Sequence, residues 1–235
     1  MWEQYGDRRI LEQNEQGLKQ YVAFLRSLAR DNVFRGHPGH EGDWVEVEHT
    51  SYEYIANLWY YCDVEILARI ERVLGNSTEA TAYFRLAQDI RDGFNRTFFD
   101  PKTGEYANGT QTANAMALFL NFPAQDQRSK VAGHLTNDIV YYHNTHVTTG
   151  FIGVKFLMPA LTDIGCSDLA YELVVQTTYP SWGFMIAQGA TTLWELWEDK
   201  TGSAMNSHDH AMFGSVGAWF YRALAGINQE TDSVG

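Results

Sequence analysis

No run of about 18 apolar residues occurs anywhere in the 235-residue chain, so no membrane span is expected. The opening stretch, MWEQYGDRRILEQNEQG, is too polar for a secretory signal, and this reading favours a cytoplasmic location. Cysteine is scarce. Cys62 and Cys166 are the only two, they lack CxxC spacing and they sit in apolar-periodic segments. They read as reduced core thiols, with a disulfide between them as the alternative. Basic residues are also few: 17 Lys and Arg against 29 Asp and Glu give a net charge of −12. A field of that sign repels nucleic acid and anionic membranes and leaves neutral partners. No GxSxG, no P-loop and no GxGxxG in a strand–helix setting is found, so a nucleophilic serine or a bound nucleotide has no motif to stand on. No fixed-length repeat occurs, which disfavours TPR-like and HEAT-like arrays.

What is present is helical. Hydrophobic residues make up 45% of the chain, enough for one sizeable core and too little length for two comfortable domains. Asp7 to Arg30 reads as the first helix. From Ser51 to Leu74, Ile55, Leu58, Cys62, Ile66, Ile70 and Val73 recur every three or four residues, one face of a helix. Gly75 ends it, and Asn76 with Glu79 opens another that buries Tyr83, Leu86, Ile90 and Phe94. The turn FFDPKTGEY follows. Helices are then expected at 111–120, through Val131, Leu135, Ile139 and Tyr142, at 150–161 (apolar on nearly all sides), through Leu169, Leu173 and Val174, and as one buried helix at 211–225. The total is seven to nine helices with no convincing strand series. Helical hairpins alternating in this way suit an α/α toroid.

The loops carry the unusual residues. His37, His40, His146, His208 and His210, and Trp44, Trp182, Trp194 and Trp197, all fall between helices, which puts function on the loops. Aromatic residues are 14% of the chain, and aromatic rings either fill cores or offer flat faces to the C–H sides of sugars. In GATTLWELWE, Glu195 stands between Trp194 and Leu196–Trp197. On a helical turn the two indoles would share a side. A carboxyl group among indoles loses hydration, which suits a general acid or base; a helix-surface acid is the plain alternative. Asp43 and Trp44, after Gly42, read as an acid and a stacking ring on a turn, or as a turn Asp with an anchoring Trp. His208 with His210, joined by His143 and His146, match no metal motif, so hydrogen bonding to a sugar is favoured over a metal, and no cofactor is expected.

The blocks YPSWGFMIAQGATTLWELWE and SHDHAMFGSVGAWFYRALAGI closely resemble the C-terminal half of the catalytic domain of bacterial α-L-rhamnosidases, glycoside hydrolase family 78. YGDRRIL, GDW, LARIERVLG, FFDPKTGEY, QTANAMAL and HVTTGFIG agree in order upstream, so the resemblance covers residues 2 to 227. Leu196, Glu198 and Asp209 depart from the family's more frequent Arg, Asp and Asn. The resemblance implies an (α/α)6 barrel that inverts the anomeric centre. It implies Glu195 as general base, His210 as a sugar contact and Trp44 as an aromatic wall. Asp43, Trp182, Trp194 and His146 are carried over as neighbours of those motifs. The family's general acid lies upstream of the matched region. The expectation is therefore an incomplete toroid over residues 1–228 with a tail at 229–235, lacking its acid unless Glu48 or Asp43 serves, and self-associating through an open barrel edge. The expected partner is a rhamnose-containing glycoside. Two other readings stay open: a different α/α-toroid glycosidase, and a sugar-binding remnant without catalysis.

Overall fold

The computed structural model describes residues 2–36 and 42–228. They fall into two compact units, one of residues 2–36 and 55–98, the other of residues 42–54 and 99–227. The tail expected at 229–235, and His37 and His40, lie outside the described residues.

The first unit holds α1 (Trp2–Tyr5), α2 (Arg9–Leu28), α3 (Tyr52–Leu74) from Ile55 onward, and α4 (Ser77–Phe98). Gly75, at a φ of +89° that L side chains rarely adopt, stops α3, and α4 starts two residues later. The expected stripe on α3 is only partly right. Ile55 and Leu58 are buried, but Ile66 is 52% exposed. Tyr60, Tyr61, Val64, Leu67 and Ala68 are buried instead. Tyrosine rings take core positions that a count of aliphatic residues overlooks. Glu71 is fully buried and meets Lys19 Nζ at 3.1 Å; Lys19 also meets Glu15, and the Asn76 amide donates to both Glu71 and Glu15. A buried charge is tolerated only with such partners, so this network fixes the register of α2 against the α3–α4 turn. α2 leaves Tyr21, Phe24 and Leu28 exposed, three and four residues apart.

The second unit opens with a two-residue hairpin, β1 (Phe99–Asp100) paired antiparallel with β2 (Glu105–Tyr106), around the expected turn. It continues through α5 (Gln111–Phe119), α6 (Arg128–Asn137), α7 (Phe151–Asp163), α8 (Ser167–Val174), α9 (Trp182–Ala187) and α10 (Ser215–Trp219). α5 is buried throughout residues 111–118 and packs along α7, which α8 and α10 also touch. α7 is buried over most of residues 153–161, in keeping with its all-round apolar sequence.

Two expectations fail here for one reason. The stripe through Val131, Leu135 and Ile139 is buried, but Tyr142 is 78% exposed, because Asp138–Tyr142 form a π-helical turn. The extra residue in such a turn rotates later side chains off the stripe. Likewise residues 211–225 are not one buried helix. They divide into a 3-10 turn (Met212–Gly214), α10 and a second π-helical turn (Phe220–Leu224), burying Phe213 and Trp219 and exposing Tyr221 and Leu224. Gly214 and Gly217 weaken helix propensity there. Such short segments raise the tally among the described residues to ten α-helical segments.

One loop is seated with unusual care. Residues 42–50 lie along residues 147–153: Val47 and Glu48 amides donate to the Thr148 carbonyl, and the Phe151 amide donates to the Trp44 carbonyl at 3.1 Å. The Asp43 carboxylate, 1% exposed, accepts the amides of Gly150, Ile152 and Gly153 at 2.7–3.1 Å and the Thr112 hydroxyl at 2.6 Å. It thus caps the N-terminus of α7 from a distant segment, where the free amides and the helix dipole favour negative charge. Burial pushes the Asp43 carboxyl above its usual range, and the Thr112 hydroxyl and the three amides act against that. The approach leaves no room for a side chain at Gly150 or Gly153. A Cβ at Gly153 would stand 2.2 Å from Thr112 Oγ1 and 2.5 Å from Asp43 Oδ2. Beside Trp44, the β-branched Val45 holds a left-handed φ of +58°, a strained conformation fixed by the surrounding bonds. Gly153→Ala should therefore lower the unfolding free energy by about 1–3 kcal/mol, read by denaturant titration. An unchanged midpoint would mean that Asp43 does not seat this tightly.

Candidate active site

The segment around Glu195 is not a helix. Residues 190–200 run as bends, held by short antiparallel pairing to residues 207–210: the Glu195 amide donates to the Ser207 carbonyl at 2.9 Å and the His210 amide to the Leu193 carbonyl at 2.8 Å. The expectation that Trp194 and Trp197 share one side is corrected. Trp197 is fully buried, stacked on Phe213 at 3.9 Å and edge-on to Trp182, and its indole N–H donates to the Thr149 carbonyl. Trp194 instead meets the ring of His208 edge-on at 5.0 Å. The bends of this segment turn the two indoles, three residues apart, toward different partners.

Glu195 is half-buried. Its Oε1 accepts the Trp44 indole N–H at 3.1 Å and the Asn206 amide N–H at 3.3 Å. Among the described residues no donor reaches Oε2. The structure thus brings together Glu195 and Trp44, which lie 151 residues apart. His210 lies three residues after Ser207, the partner of the Glu195 amide. Its Nδ1 accepts the Met212 amide at 3.2 Å, so in the neutral ring the proton sits on Nε2, which is a donor.

Other expected residues lie in supporting positions. Asp43 spends its carboxylate on α7 and the Thr112 hydroxyl, while its neighbour Trp44 reaches Glu195. Trp182 is buried, its indole N–H donating to the Phe213 carbonyl. His146 has both ring nitrogens engaged: Nδ1 with the Asn144 and His143 carbonyls, Nε2 with the Thr178 hydroxyl at 2.7 Å. It staples a loop, and no contact joins it to Glu195 among the described residues. The residue that sequence reasoning missed is Asn206, a neutral amide in a polar loop that no pattern marks.

The histidines considered for a metal set do not converge. Among the described residues, one group has donor atoms spaced to hold a cation: Glu48, Asp138 and His143, within 4.8 Å of one another. His143 Nε2 lies 3.3 Å from Asp138 and 3.6 Å from Glu48. Burial pushes the Asp138 carboxyl up, and His143 draws it down. The arrangement serves equally as a hydrogen-bonded ion pair.

Comparison with known proteins agrees with this architecture. Residues 1–224 match the family described as the bacterial alpha-L-rhamnosidase 6 hairpin glycosidase domain. The chain is 34% identical to an alpha-L-rhamnosidase of Streptomyces avermitilis over 97% of its length and 22% of the relative's. Among solved structures, it superposes on the alpha-L-rhamnosidase from Dictyoglumus thermophilum with a TM-score of 0.91 and 39% identity, over 97% of this chain and 26% of that one. The Streptomyces avermitilis enzyme complexed with L-rhamnose gives a TM-score of 0.89 and 32% identity, over 96% of this chain and 22% of that one. The chain therefore spans about a quarter of the length of these relatives. Its helices are those of an α/α toroid, and the chain belongs to the six-hairpin glycosidase domain family of bacterial α-L-rhamnosidases.

Proposed function

We propose that these residues form the general-base side of an inverting α-L-rhamnosidase site, acting on terminal α-L-rhamnose of a glycoside. The observation that carries the reading is the carboxylate of Glu195: one oxygen is held by two neutral donors and the other is left for water. In the proposed step Oε2 takes a proton from a water molecule as its oxygen attacks the anomeric carbon. A second carboxyl, roughly 6.5–9.5 Å away in inverting enzymes, protonates the leaving oxygen. It is not among the residues proposed here, since Asp43 is committed to α7 and Glu48 to His143 and Thr148. The Trp44 ring offers a flat face to the C–H side of a 6-deoxy sugar, whose methyl adds apolar area. In this reading the His210 Nε2–H donates to a sugar hydroxyl. Trp194 pairs edge-on with His208, and Trp182 packs on Trp197.

Glu195→Gln keeps the shape but cannot take a proton. In the complete gene product, assayed on an aryl α-L-rhamnoside, it should lower kcat by roughly 10²–10⁴-fold. A variant with wild-type kcat removes Glu195 as base, and a gene product that binds rhamnose without turnover makes this a sugar-binding protein. Trp44→Ala should weaken rhamnose binding by calorimetry; an unchanged affinity takes the ring out of the sugar site. The exposed stripe of Tyr21, Phe24 and Leu28 on α2 further suggests self-association of the 235-residue chain, read as a concentration-dependent mass by light scattering, and a strict monomer would contradict it.

A further inference from the structure

We infer that Trp44 and Asn206 act as a two-donor clamp that aims the general base, so that Trp44 is a positioning residue as well as a wall for sugar. The inference rests on Glu195 being the base. A free glutamate side chain turns about three bonds and exchanges its two oxygens. Here Oε1 receives two N–H groups from different segments, the indole of Trp44 and the amide of Asn206. Both are neutral, so they orient the carboxylate without pairing away its charge. Both are fixed at their roots. The Trp44 carbonyl is held by the Phe151 amide, and its neighbour Asp43 is buried in the α7 N-terminus. Asn206 precedes Ser207, whose carbonyl accepts the Glu195 amide. With Oε1 held from two sides, Oε2 is the oxygen presented outward. One indole thus joins sugar contact to base alignment: a sugar lying on the ring reinforces the position of the same N–H that aims the carboxylate.

The test separates clamp from wall and from base. Trp44→Phe keeps a ring and deletes the N–H; Asn206→Ala deletes the other donor. In the complete gene product each should lower kcat about ten- to hundred-fold, the effect of a slightly misplaced group, with rhamnose affinity near wild type. In a Glu195→Gln background, Asn206→Ala should cost nothing more in kcat, because its effect passes through the carboxylate. Losses that add, or that fall in affinity and not in kcat, overturn the clamp. Asn206→Ser, which is small and polar, should behave as Asn206→Ala if the loop simply tolerates change. A readout free of activity uses the 235-residue chain: the Trp44 indole N–H and Asn206 side-chain amide resonances in 1H–15N spectra should both shift on Glu195→Gln. If they do not move, the clamp is absent even where Glu195 proves to be the base. If they move while Glu195→Gln keeps full turnover, the base assignment fails and the contact stands as structure only.

Discussion

The candidate site depends on the carboxylate of Asp43 entering the N-terminus of α7. That one group satisfies three amides and a hydroxyl from segments more than sixty residues away in sequence. By doing so it sets the loop 42–50 against residues 147–153 and carries Trp44 to Glu195. The energetics are finely divided. Removing a carboxylate from water is unfavourable, and burial does raise this group's pKa, but the helix terminus supplies oriented donors that would themselves be orphaned without it. Each side of the contact answers a need of the other. The glycines at 150 and 153 are the steric condition for it.

Beneath the loop that carries Glu195, aromatic packing takes the place of regular secondary structure. Trp197, Phe213 and Trp182 form a buried cluster whose indole N–H groups both find backbone carbonyls. Loops need some other source of rigidity once they leave the helical ladder, and large rings with a single donor each supply area and direction together. The Glu195 carboxylate is thus carried by a loop with a packed aromatic cluster and held by neutral donors.

Much of this was legible in sequence, within limits that physics explains. Helices with strong periodicity, such as α4 and α7, follow from the spacing of apolar residues, and the stretches at 42–50 and 206–210, singled out for their Trp and His, meet the segment of Glu195. The register of α3 misleads because tyrosine buries as well as isoleucine does, and the π-helical turns are invisible because they change the count of residues per turn without changing composition. Among the aromatics expected on loops, Trp44 and Trp182 look alike as letters, though Trp182 opens α9. Only tertiary placement makes one a half-buried donor to Glu195 and the other a core residue. His146, expected at a sugar, engages one nitrogen with its own loop and the other with the Thr178 hydroxyl. Asn206 had no signal at all, since a neutral amide acquires its role from a partner eleven residues away across a turn.

The left-handed backbone of Val45 bears on how this protein can change. Glycine or asparagine would adopt the same φ with less strain, so relief is one substitution away. A glycine would also widen the set of conformations open to the chain on either side, including the bond to Trp44. Strain at Val45 and freedom of the adjoining indole are thus set against each other at this one position: glycine would lower the first and raise the second.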